Sequence, residues 1–427
     1  MGGELVAHPW RGRVLAELHA RPFAAIETPR RLLHYAFATD PEAAAADRRA
    51  LAGFCATRGV REPAPDAKHA RIDLANLSLR WERHSEFTTY TWEFAAGDAS
   101  GAPFRPPPDR LADPMRSLAQ PGPLLVAIDL HLVAEKALPD GPQAVFGEGR
   151  VAMAAAEEGA ALVASGFEAD AQGFVRVLIV DRNLAPAQAG ALVQRVLEIE
   201  TYRTLALLGL PEAQELAPVI RRIEIELPRL LNEMRHSEGF EANHRLLDRL
   251  TALAAELEAG AAASLYRFGA TRAYDELVRL RLQAIGEAPV RGLPSWSEFL
   301  SRRLNPAMRT CASTEERQAN LSRKLARAAQ LLRTRVDVEL ERQNRDLLVA
   351  MNERARAQLR LQQTVEGLSV AAITYYITGL AHLAFEGLHA AGLRVDPAIA
   401  TAGVVPFALL GVALIVRRIR RRHARER

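Results

Sequence analysis

Two uncharged runs near the C-terminus constrain this chain more than any other feature. Residues 367–385, GLSVAAITYYITGLAHLAF, and 398–416, AIATAGVVPFALLGVALIV, each hold nineteen residues without Asp, Glu, Lys or Arg. At ~1.5 Å rise per residue, such a helix is roughly 28 Å long, close to the ~30 Å hydrocarbon core of a bilayer. A helix buried in a soluble core usually shows a polar stripe or a shorter apolar run. The pair therefore reads as a two-helix transmembrane hairpin.

The flanks orient it. Arg354, Arg356 and Arg360 precede the first span, and Arg417, Arg418, Arg420, Arg421 and Arg422 follow the second. The connection, residues 386–397, holds one arginine, Arg394, against Glu386 and Asp396. Positive charge on the side of both termini predicts an inner (cytoplasmic) membrane protein, multi-pass, with both termini cytoplasmic.

The first span is more polar than an anchor needs. Tyr375, Gly379, His382, Glu386 and His389 recur at helical spacing, with Thr374 and Thr378 beside them. An ionisable group inside a membrane is a functional candidate because exposing it to lipid is costly. Tyr375, Thr378, His382 and Glu386 are thus candidates for an ion path or for an interhelical polar stripe. In the second span, Gly403 and Gly411 permit close helix approach and Pro406 predicts a kink.

Ahead of the hairpin the expectation is an α+β cytoplasmic domain over 1–182, followed by an all-α region. Strand composition marks 31–39, 71–94, 124–133, 145–153, 161–167 and 174–181, and 41–53 is alanine-rich and helical. Residues 101–123 hold seven prolines and read as a loop. The helical region covers 183–312, with a helix opening at Pro186, another at Pro211 that Pro218 and Pro228 break or bend, and further stretches over 241–258 and 262–285. Residues 286–297 form a connector. Ser313 or Thr314 then caps a long coiled-coil-like helix over 313–366, ~80 Å in length. Its apolar seam includes Leu325, Leu332, Val336, Leu340, Leu347, Met351 and Leu359, and Asn344 occupies a register-setting position. The hairpin takes 367–416, and a basic tail takes 417–427.

The charge is local. The tail holds seven arginines and one glutamate, +6, against a formal net charge of +4, which leaves the other 416 residues at −2. Without aromatic interleaving or a recognition motif, nucleic acid is not expected as a partner. Two distant cysteines, Cys55 and Cys311, exclude a disulfide framework and a CxxC metal site. The N-terminus lacks an apolar run of signal-peptide length.

The densest polar run is WERHSEFTTYTW, 81–92. Read as one strand, it sets Glu82, His84 and Glu86 on a common face. Two carboxylates around a histidine suit a divalent cation or acid–base work, and a solvated, ion-paired face is the plainer alternative. The cofactor stays open, with a divalent cation as the candidate. His19 and Arg21 in ELHARPF, 17–23, read as an anchored turn at Pro22. No phosphate loop, nucleophile elbow or HExxH motif occurs, so an enzyme is unsupported.

ELHARPF at 17–23, WERHSEFTTYTW at 81–92, ETYRTLALLGLPEA at 200–213 and GLSVAAITYYITGL at 367–380 resemble an uncharacterised bacterial family. Its members are described as predicted membrane-anchored proteins with a domain of unknown function, and the resemblance implies no activity. The layout is also similar to that of CorA-type magnesium channels. Their Gly-Met-Asn motif is missing here, where residues 382–389 read HLAFEGLH. The expectation is a membrane-anchored, non-enzymatic, homo-oligomeric scaffold or partner-binding protein. The alternatives are a CorA-like cation channel or transporter using the polar stripe, and a membrane-tethered hydrolase built on His84 and Glu86.

Overall fold

The strand-forming stretches assemble into one mixed sheet. The computed structural model describes residues 7–18, 23–65, 67–94, 103–104, 113–147, 149–391 and 396–423. Its chain divides into two units, Met1–Asn232 with Arg249–Ala328, and Glu233–Asp248 with Ala329–Arg427.

In the first unit, the strands are β1 (Arg30–Ala38), β2 (His69–Asp73), β3 (Leu77–Arg83), β4 (Phe87–Phe94), β5 (Leu124–Ala134), β6 (Ala152–Ala156), β7 (Ala161–Ala169), β8 (Val175–Asp181) and β9 (Ala288–Pro289). Their order among the described residues is β2-β3-β4-β1-β5-β8-β7-β6-β9. β5 and β8 pair in parallel, and the other neighbours run antiparallel. Period-2 alternation sends the two faces of β1, β3 and β4 to different cores. Leu33, Tyr35, Phe37, Leu79, Trp81, Tyr90 and Trp92 meet Leu51, Phe54 and Cys55 of α2 (Pro41–Arg58). On the opposite face, Leu32, Ile128, Leu130, Val177 and Ile179 share a core with Leu192, Val196 and Leu197 of α3 (Pro186–Leu207). Each such side chain contributes about 1.5–3 kcal/mol by leaving water. α1 is the short segment Arg11–Leu18.

Several local expectations give way. Residues 145–153 are not one strand: Pro142–Phe146 forms a 3-10 turn before β6. α4 (Gly209–His236) passes through Pro218 and Pro228 unbroken. Both prolines are exposed, so water can take the carbonyls they leave unpaired. α5 (Phe240–Ala284) is continuous across Gly260, where a Cβ would stand 3.1 Å from the Leu216 side chain. The glycine there serves close packing against α4 rather than a break. Much of the proline-rich 101–123 segment lies outside the described residues.

α6 extends from Trp296 to Ala390 and α7 from Pro397 to His423. The helix start expected at Ser313 or Thr314 is corrected: Thr314 is buried in mid-helix. The real start is capped elsewhere. Glu287 accepts from the backbone N–H groups of Trp296 (3.1 Å) and Ser297 (3.0 Å), and Ser295 Oγ accepts from Glu298 N–H at 3.2 Å.

In the second unit, the ends of α4 and α5 meet α6. The Arg335 guanidinium donates to the Met234 carbonyl at 2.6 Å, and Leu332 and Val336 are buried. Further along α6, Leu340, Leu347, Met351 and Leu359 are exposed. The early part of the apolar seam is therefore covered within the chain. The apolar part of α6 and α7 come together as a hairpin: His382 bonds to Thr401, and Val416 borders the same groove as Leu361 and Val365.

Candidate functional site

The sheet face that meets α3 changes character across its width. Over β5, β8 and β7 it is apolar, but β1, β4 and β3 present His34, Thr89, Thr91, Arg80 and Glu82. α3 lays one face beside this polar patch, at Gln194, Leu197, Glu198, Thr201 and Tyr202, spaced as neighbours on a helix surface. Arg281 of α5 closes the side, its Nε donating to the Glu198 carboxylate. Between them lies a cavity of about 210 Å³.

His34 organises the floor. The Thr201 hydroxyl donates to the Leu197 carbonyl at 2.8 Å, so its oxygen accepts from His34 Nε2–H at 3.1 Å. Nδ1 then accepts from the Thr91 hydroxyl at 2.8 Å. This arrangement needs a neutral ring. Burial, with the nearby Arg80 and His84, lowers the imidazole from 6.5 to about 3. Around it, Arg80 Nε, Thr89 Oγ1 and Gln194 Oε1 are buried with no hydrogen-bond partner among the described residues.

The polar run 81–92 is a hairpin rather than the single strand its composition suggests, so its carboxylates do not share a strand face. β3 ends at Arg83, residues 84–86 turn, and β4 begins at Phe87. His84 N–H donates to the Phe87 carbonyl at 2.8 Å, and the two rings stack at 4.0 Å. Glu82 and His84 both border the cavity. Glu86 turns instead to Arg267, with which it forms a part-buried ion pair. Among the described residues no group of three His, Cys, Asp or Glu side chains is placed to hold a metal ion.

The opposite side of this hairpin is structural. Trp81 Nε1–H (2.9 Å) and the Tyr90 hydroxyl (2.5 Å) both donate to Asp47 of α2, whose carboxyl is pushed upward by burial against these two hydrogen bonds. Asp129, the single acid of β5, is answered by Arg31 at 3.0 and 2.9 Å and by His131 at 3.3 Å. Burial raises its carboxyl, but the bonds and charges of His131 and Arg31 outweigh that and hold it below its ordinary value. Neither cluster was signalled by spacing, because each joins segments far apart in the chain.

In the second unit, the Thr401 hydroxyl donates to the Pro397 carbonyl at 2.6 Å, so His382 Nδ1–H donates to Thr401 Oγ1 at 3.0 Å. Glu386 stands 3.7 Å from His382 Nε2. Thr374 is buried and Thr378 half-buried, the latter bonded to the Thr374 carbonyl at 3.0 Å. Tyr375, whose carbonyl also accepts from the Thr378 hydroxyl at 2.9 Å, is 76% exposed. His19 and Arg21 are outside the described residues.

The segments that converge on the cavity are two of those that carried the resemblance: 81–92 supplies Glu82, His84, Phe87 and Thr89, and 200–213 supplies Thr201 and Tyr202. One family model covers nearly the whole chain, residues 6–423, under the description "Protein of unknown function (DUF3422)". The chain belongs to this family. Nothing in the DUF3422 match supports the layout-based likeness to CorA-type channels. Among curated proteins the chain finds no match.

Proposed function

We propose that this member of the DUF3422 family is a membrane-anchored, non-enzymatic protein whose body lies in the cytoplasm and whose exposed α6 segment self-associates. One observation carries the anchor: two helices are long and apolar enough to cross a membrane, yet only 6% of each apolar window is buried within the chain. Core helices of soluble proteins bury such surface, so these two require another apolar phase, and a bilayer supplies it. The arginines flanking both spans favour termini on the cytoplasmic side. Leu340, Leu347, Met351 and Leu359 stay exposed on a helix whose apolar spacing suits a second copy.

A cation path along Tyr375, Thr378, His382 and Glu386 is the weaker reading. It would need these side chains free to face water on one line, whereas His382 is bonded to Thr401 of α7. The oligomer is tested by light scattering of the full chain in detergent. A discrete multimer is expected, reduced by L347K together with M351K. A monomeric wild type would overturn self-association.

A further inference from the structure

Among the described residues, the cavity in the first unit borders two charges that go unanswered. Of the four charged side chains on its wall, Arg281 and Glu198 satisfy each other. Arg80 and Glu82 form no hydrogen bond or ion pair among the described residues, with each other or with a third group. They lie two residues apart on one face of β3, so their backbones are about 6.6 Å apart. Two opposite charges that border one cavity without pairing are an unusual arrangement, because a half-buried charge is stabilised mainly by a partner.

We propose that this cavity binds a small zwitterion of the free amino-acid type, its carboxylate on Arg80 and its ammonium on Glu82. The guanidinium fork matches a carboxylate, which can accept two parallel N–H bonds. An ammonium donates to Glu82 and finds a further acceptor in Gln194 Oε1, buried and otherwise unused. Thr89, 97% buried, turns a hydroxyl oxygen with no partner among the described residues to the same space. A simple anion would answer Arg80 and strand Glu82, and a simple cation would do the reverse. Only a neutral molecule with separated charges satisfies both. The volume of about 210 Å³ lies under the ~300–1,000 Å³ of sites for drug-sized ligands, so the ligand is small. Phe87, stacked on His84, and Leu197 give its carbon skeleton an apolar wall.

The test is calorimetric titration of the full chain in detergent with the common free amino acids, and with acetate and methylamine as single-charge probes. The inference requires at least one amino acid to bind with Kd at or below about 1 mM, and both single-charge probes to bind at least about tenfold more weakly. R80Q and E82Q should each weaken that amino acid about tenfold or more, while the melting temperature without ligand does not fall, because neither charge has a partner among the described residues to lose. T89V provides a variant that leaves both charges in place and should also weaken binding. Absence of binding by every amino acid, or equal binding of acetate or methylamine, would overturn the inference. So would R80Q and E82Q that bind as wild type. The outcome is independent of where the hairpin resides.

Discussion

At the scale of the residue, His34 shows how the sheet keeps a titratable group uncharged. Its two ring nitrogens are committed in opposite senses, one accepting from Thr91 and one donating to Thr201, and a second proton would break the first of these. The sign of the pH effect follows. The folded ring binds a proton only near pH 3, the unfolded ring near 6.5, so between these values the unfolded chain holds more protons. Stability conferred by the neutral ring is present above 6.5 and declines as the pH falls through that window, by up to about 1.4 kcal/mol per pH unit. H34Q should therefore show a shallower loss of stability between pH 6.5 and pH 5 than wild type, measured by thermal melting of the full chain at several pH values. Parallel profiles for the two proteins would mean that His34 is not held neutral. Asp47 illustrates the complementary device: a buried carboxyl that fixes α2 to the sheet by accepting from Trp81 and Tyr90.

Among the elements, α6 carries the clearest local prediction. Its first turn leaves backbone N–H groups without intrahelical partners, and Glu287 takes two of them. E287A should destabilise the first unit by about 1–2 kcal/mol. The loss should be visible as earlier melting in the fluorescence of Trp296, which is buried against Phe167 at 4.8 Å. Unchanged melting would show that Ser295 alone suffices.

The same helix shows what composition can and cannot convey. The strands β1, β5 and β8, the helix α3 and the two apolar runs were legible because each has an uninterrupted period or length of its own. The helix boundary at 313 was misread because Ser-Thr-Glu-Glu looks like a cap, whereas Thr314 is buried by packing that no local pattern announces. The stretches 241–258 and 262–285 read as separate for the same reason, whereas α5 runs through both. The turn at 84–86 was hidden because polar residues continue through it, and with it went the common face of Glu82, His84 and Glu86. The residue types Glu82 and His84 did mark the right region. The residues that line the cavity with them, His34, Gln194 and Arg281, come from segments separated by as much as two hundred residues, and only the fold brings them together.

At the scale of the whole molecule, the proposed arrangement is a hairpin in a membrane with the body on the side of both termini. Both native cysteines are buried, so a cysteine introduced at an exposed position can report alone. Ala391, just after α6, and Arg417, just after the second apolar run, are exposed positions. The direct measurement is labelling of A391C and R417C by a membrane-impermeant maleimide, in intact bacterial cells and again after lysis. A391C is expected to react in intact cells and R417C only after lysis. Labelling of R417C in intact cells, or shielding of both until lysis, would contradict that arrangement.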